Sequence, residues 1–293
     1  VDSDAGPDSS AEPVRESPAG TRVRMQRRLE RIVRENRFTI AVLFPVVGAV
    51  TLVASAEGLL PPALAYNPLL LLFGTLVMRS PLLVGLLPRI DRWAAGWLAV
   101  LTAYTYAIEI LGVRTDWPYG AFEYGVSLGP MAFGEVPLAL PLFFLPLVLN
   151  AVLLTVLVLG PLGDRALVRI PVAIAAVVAV DLVLDPGAVA IGFWTFEAGG
   201  YYGVPRSNYV GWVLSGTVAV SLVDLAFDRA ALLERARDCE FILDDLVSFV
   251  LLWGSINLLY TNWLAAGVAG VFCLGLFATG RYDLEMVRTA LPG

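Results

Sequence analysis

PLALPLFFLPLVLNAVLLTVLVL, residues 137–159, carries no charged side chain and is long enough to cross a bilayer. A helix rises about 1.5 Å per residue, so roughly 20 apolar residues cover the ~30 Å hydrocarbon layer. Apolar stretches of similar length recur near 38–57, 60–78, 93–112, 168–186, 209–227, 243–261 and 263–279. Together they predict an all-α polytopic membrane bundle of about eight transmembrane helices.

The connections between these stretches show a charge alternation. The second, fourth and sixth carry Arg79, Arg89 and Arg92, then Arg165 and Arg169, then Arg229, Arg235 and Arg237. The first and seventh carry none, and the third and fifth carry Arg114 and Arg206 alone. Basic residues collect on the cytoplasmic side of membrane proteins, which predicts both termini there.

Composition agrees with this reading. Of 293 residues, 58% are hydrophobic and 16% charged, and the mean hydropathy is +0.75. Soluble chains average roughly 45–50% apolar and 25% charged residues, so little remains here to enclose a second, aqueous core. Residues 1–20 are acidic and rich in Pro, Ser and Gly, which predicts disorder. Residues 22–37 hold seven arginines, expected as a juxtamembrane helix beside anionic lipid. The expected organisation is a tail and juxtamembrane segment at 1–37, then one membrane domain at 38–293.

All 20 basic residues are Arg, against 26 acidic ones, giving a net charge of −6. An acidic, lysine-free chain suits a high-salt cytoplasm or a GC-rich genome. The lack of histidine removes imidazole from haem ligation, metal binding and general base catalysis. Cys239 and Cys273 form no metal-binding spacing. Phosphate-binding glycine loops, paired Asp-rich magnesium motifs and a nucleic-acid footprint are all missing from the sequence. No metal or cofactor is therefore expected.

Two connections are conspicuous: GVRTDWPYGAFEYGVSLGPMAFGEVP (112–137) and DPGAVAIGFWTFEAGGYYGVPRSNYVGW (185–212). An interfacial aromatic belt would explain Trp and Tyr there. It would not explain Glu123, Glu197 and Arg206 set among the rings, so packed segments over a pocket are expected.

Carboxylates inside spans are costly and usually functional. Glu109 shares a helical face with Thr102, Thr105 and Tyr106. Asp181 and Asp185 are one turn apart, and Pro186 is expected to end the helix beyond them. Plainer roles exist: Asp185 as a turn cap, Asp181 as a hydrogen-bonding strut between helices. Thr217, Ser221 and Asp224 form a further stripe nearer the other end, while Asp244 and Asp245 are expected to be solvated at a boundary.

Glu109-Ile-Leu-Gly, TDWPYGAFEYGVSLGP (115–130), Val136-Pro137, DLVLDPGAVAIGFW (181–194) and YYGVPRSNYVGW (201–212) carry a resemblance. They resemble the membrane-embedded carotenoid biosynthesis proteins that act as carotenoid hydratases, in particular the haloarchaeal ones handling C50 pigments. The resemblance runs from the first span to the last. It implies addition of water across the terminal C=C of an acyclic carotenoid end group in the bilayer. Such chemistry needs a neutral carboxylic acid as proton donor, which burial favours, and aromatic faces for the cation.

Glu109 or Asp185 is the expected donor, the other handling water, with Asp181 as a third catalytic candidate. Asn208 and Tyr124 are expected to orient water, and Trp117, Trp194 and Trp212 to line the end-group pocket. Tyr119, Glu123 and Tyr202 complete the substrate-binding candidates. Other carotenoid-pathway membrane enzymes are conceivable partners. A transporter using the same carboxylates as a relay, a non-catalytic pigment binder and an end-group cyclase are the rival readings. The spans show no inverted repeat of the kind transporters use. A cyclase would share the protonation step and exclude water.

Overall fold

The computed structural model describes residues 18–280. The acidic tail before Pro18 lies outside the described residues. Helix α1 (Pro18–Glu35) holds the arginine-rich segment. A π-helical turn, Thr39–Leu43, leads into α2 (Phe44–Ala56). There follow α3 (Pro68–Leu86), α4 (Arg92–Thr115), strands β1 (Phe122–Tyr124), β2 (Met131–Ala132) and β3 (Val136–Pro137), and α5 (Leu140–Leu159). Then come α6 (Ala166–Ala190), β4 (Trp194–Phe196), α7 (Arg206–Ala226), α8 (Arg229–Asp238), α9 (Asp244–Leu259) and α10 (Trp263–Ala278).

The chain is an all-α membrane bundle. Among the described residues, six helical stretches are long and apolar enough to cross a membrane, from Thr39–Ala56 to Arg206–Ala226. Helices α9 and α10, at 16 residues each, are shorter. The run quoted first becomes α5, the central helix, with 67% of its apolar window buried. One continuous hydrophobic core runs from Val33 to Leu276.

Capping chemistry sets the helix starts. Asn67 accepts from the amides of Leu69 and Leu70 while Pro68 takes the first helical position, where its missing N–H costs nothing. Asp91 and Asp228 cap α4 and α8 in the same way. The second span therefore begins at 68, not 60, because Pro61 and Pro62 lie in turns before the cap. It also runs on past Arg79. Pro81 cannot donate to the Val77 carbonyl, and Ser80 Oγ supplies that bond at 2.6 Å.

Pro186 likewise does not end α6, which continues to Ala190. Asparagines on the neighbouring chain segment support the carbonyls around it: Asn257 donates to Val183 O at 2.8 Å and Asn262 to Pro186 O at 3.2 Å.

Arginines gather at one end of the bundle, and their partners are acids within it. Arg37 holds Asp244 at 2.8 and 3.0 Å. Arg79 holds Asp245 at 2.6 Å, to which Asn150 also donates at 2.5 Å. Asp244 and Asp245, expected to be solvated, are 1% and 0% exposed. Each is buried because an arginine reaches it from a helix distant in sequence. Arg169 grips Asp224 with two bonds, at 2.8 and 2.9 Å.

Candidate active site

At the opposite end, the two aromatic connections are joined to each other. Strands β1 and β4 pair antiparallel, with Phe122 opposite Phe196, Glu123 opposite Thr195 and Tyr124 opposite Trp194. Alternation along a strand sends neighbouring side chains to opposite faces. Phe122, Tyr124, Trp194 and Phe196 line the cavity beneath, while Glu123 and Thr195 are exposed. The clasp is tight: a Cβ on Gly125 would come within 2.3 Å of the Gly192 carbonyl oxygen.

Before the clasp, α4 ends at Asp116 in the left-handed conformation, and the chain turns back so that Tyr119 is buried. Its ring packs on two glycines; a Cβ would lie 3.1 Å from it at Gly112 and 2.6 Å at Gly211. The Tyr119 hydroxyl and Ser215 Oγ share a hydrogen bond of 2.6 Å. Replacing Gly211 by Ala should cost about 1–3 kcal/mol by overpacking, and Gly267→Ala on open surface should cost nothing. Thermal unfolding in detergent measures the contrast, and equal melting temperatures would refute it.

The acidic groups lie under this lid. Tyr124 donates to Glu109 Oε1 at 2.5 Å. Burial, and then the Glu109 charge, push the Tyr124 hydroxyl far above its usual range, and burial does the same for Tyr119. Both phenols therefore stay protonated and able to donate. On α6, Asp181 and Asp185 are 0% and 4% exposed. The amide of Asn208, from α7, donates to Asp181 Oδ2 at 3.0 Å and also to Asp185 Oδ2. The two carboxyl groups thus converge on one Asn208 nitrogen.

Glu109, Asp185 and Asn208 open on one cavity of about 380 Å³, and Tyr119, Tyr124, Trp194 and Trp212 share its wall. Asp181 sits behind Asp185, outside that wall. Phe144 stacks on Trp212 with centroids 5.3 Å apart and planes at 20°. Phe193 meets Tyr66 edge-on at 5.8 Å and Trp253 at 6.0 Å. The Tyr66 hydroxyl donates to Ile191 O, fixing the first connection against the fifth.

Three sequence candidates stand elsewhere. Trp117 is 55% exposed, Glu123 points outward, and the Tyr202 hydroxyl accepts from Leu264 N at 3.1 Å, tying it to α10. The stripe below Glu109 does not reach it. Thr102 and Thr105 donate to their own helix, and the Tyr106 hydroxyl to Leu138 O. Tyr66, Phe144, Phe193 and Ser215 went unnoticed. For Tyr66 the prolines before it were the missed signal, since they place it in a turn rather than a span.

The fold and site define a polytopic membrane protein whose buried acids face an apolar cavity, suited to acid chemistry on a lipid-soluble molecule. Residues 66–276 match the carotenoid biosynthesis protein family. The chain is also 61% identical over 262 residues, 89% of each chain, to the bisanhydrobacterioruberin hydratase of Haloarcula japonica. It belongs to the carotenoid biosynthesis protein family. No solved structure matches it.

Proposed function

We propose that this chain is a carotenoid hydratase of the cell membrane. It adds water across the terminal C=C of acyclic C50 end groups, converting bisanhydrobacterioruberin to bacterioruberin. The observation that carries this is the pairing of protonatable acids with an apolar, aromatic cavity: Asp185, held with Asp181 by Asn208, shares that cavity with Glu109. The 61% identity to a hydratase supports the substrate assignment.

The alkene π electrons take the proton of the Asp181–Asp185 pair, forming a C–H bond and leaving a tertiary cation. Faces of Trp194 and Trp212 stabilise that charge. Water then forms the C–O bond, and Glu109, oriented by Tyr124, accepts the proton that water gives up. Return of that proton to the pair closes the cycle. The sum is one water added per end group, with no change of oxidation state in any other species.

Expression in a host that makes the acyclic precursor tests this. The carotenoid should gain the mass of one water per hydrated end. A cyclase would leave its mass unchanged, and a transporter or pigment binder would leave the compound itself unaltered; either result would displace the hydratase reading.

In the same reading, residues 38–293 form a single membrane domain of eight spans with both termini cytoplasmic. Single cysteines at Glu123 or Glu197, both exposed, should then react with an impermeant reagent from outside in a protein lacking Cys239 and Cys273. Reaction only after the membrane is opened would reverse the orientation.

A further inference from the structure

A conjugated polyene is stiff and straight, so its far end lies well away from an end group held among the acids. If the chain is a hydratase of C50 carotenoids, on which this inference rests, most of the polyene lies outside while its end reacts. An opening must therefore connect the cavity to lipid.

Exposure locates it. The cavity-lining residues that are also exposed are Val47, Leu64, Leu70 and Phe73, on α2, on α3 or between them. The acidic end, by contrast, is roofed by the β1–β4 clasp and walled by the buried α5 and α9. The gap between α2 and α3 is lined for a polyene. Thr51 and Ser55, which face the cavity from α2, donate their hydroxyls to Val47 O and Thr51 O of their own helix. Gly74 leaves the α3 side open, since a Cβ there would meet nothing within 4 Å. Phe44 and Phe73 face each other across the helices with ring centroids 6.2 Å apart.

We propose that the carotenoid end group enters sideways from the bilayer between α2 and α3, with Gly74 setting the width of the passage and Phe44 and Phe73 bordering it. The rest of the polyene trails through the gap during the reaction. The substrate therefore never crosses the clasp, which can remain closed over the acids throughout turnover.

Bridging the gap tests this. In a protein free of Cys239 and Cys273, Phe44→Cys and Phe73→Cys would be joined by a short, reducible bifunctional thiol reagent. Carotenoid hydration should be lost on bridging and return on reduction, read by product mass. Gly74→Trp gives a second, bridge-free arm, and should lose hydration while inserting at the parental level. Gly267→Trp, on the open face of α10, should retain it. Bridged protein and Gly74→Trp that hydrate at the parental rate would place the entry elsewhere. A parental protein that leaves the precursor's mass unchanged would instead remove the hydratase reading, so the two failures are distinguishable.

Discussion

Glu109→Gln and Asp185→Asn should each slow hydration about 10²–10⁴-fold, the usual span for general acid–base catalysis. Both changes keep shape and most hydrogen bonding while removing a transferable proton. Gln at 109 can still accept from Tyr124, and Asn at 185 still faces the Asn208 amide. The aromatic wall of Phe144, Trp194 and Trp212 is untouched, so the precursor should still bind. Glu197→Gln, on the exposed clasp connection, should turn over at the parental rate. Product mass is the required readout, because hydrating an isolated terminal alkene leaves the conjugated length and colour unchanged. Parental rates in both amides would mean that the acid lies outside this cavity.

The second large effect concerns folding. Asp245 is 0% exposed, and Arg79 beside it has a side-chain exposure of 13%. Removing one partner of a buried pair strands the other charge, at a typical cost of about 3–5 kcal/mol. Asp245→Ala should therefore lower the detergent melting temperature sharply. Replacing both partners with apolar residues removes the stranded charge as well, so Arg79→Met with Asp245→Leu should recover most of the loss. A melting temperature unchanged in Asp245→Ala would show that the pair is solvated.

Spans such as α5 were legible in the sequence because a charge-free run of that length has few other uses. The two aromatic connections were legible as packed segments for a similar reason: their glycines and rings fit no solvated loop. Their mutual pairing was not, since residues 122–124 and 194–196 are too short to read as strands without each other. The boundaries of α3 and α6 were misjudged at prolines. Pro81 and Pro186 are tolerated because Ser80, Asn257 and Asn262 engage the backbone around them, and two of those three lie on a distant segment. Asp244 and Asp245 were misjudged for the same kind of reason. Local sequence shows an acid at a helix start, and only the assembled bundle shows the arginine that encloses it.

The pairing of Arg37 with Asp244 and of Arg79 with Asp245 spans 207 and 166 residues. A ribosome finishing the early helices has therefore released two cations into the membrane region long before their counter-ions exist. Until α9 is translated, those arginines must rest among headgroup phosphates or in the insertion machinery. Chains that stop short of residue 244 lack both of these counter-ions.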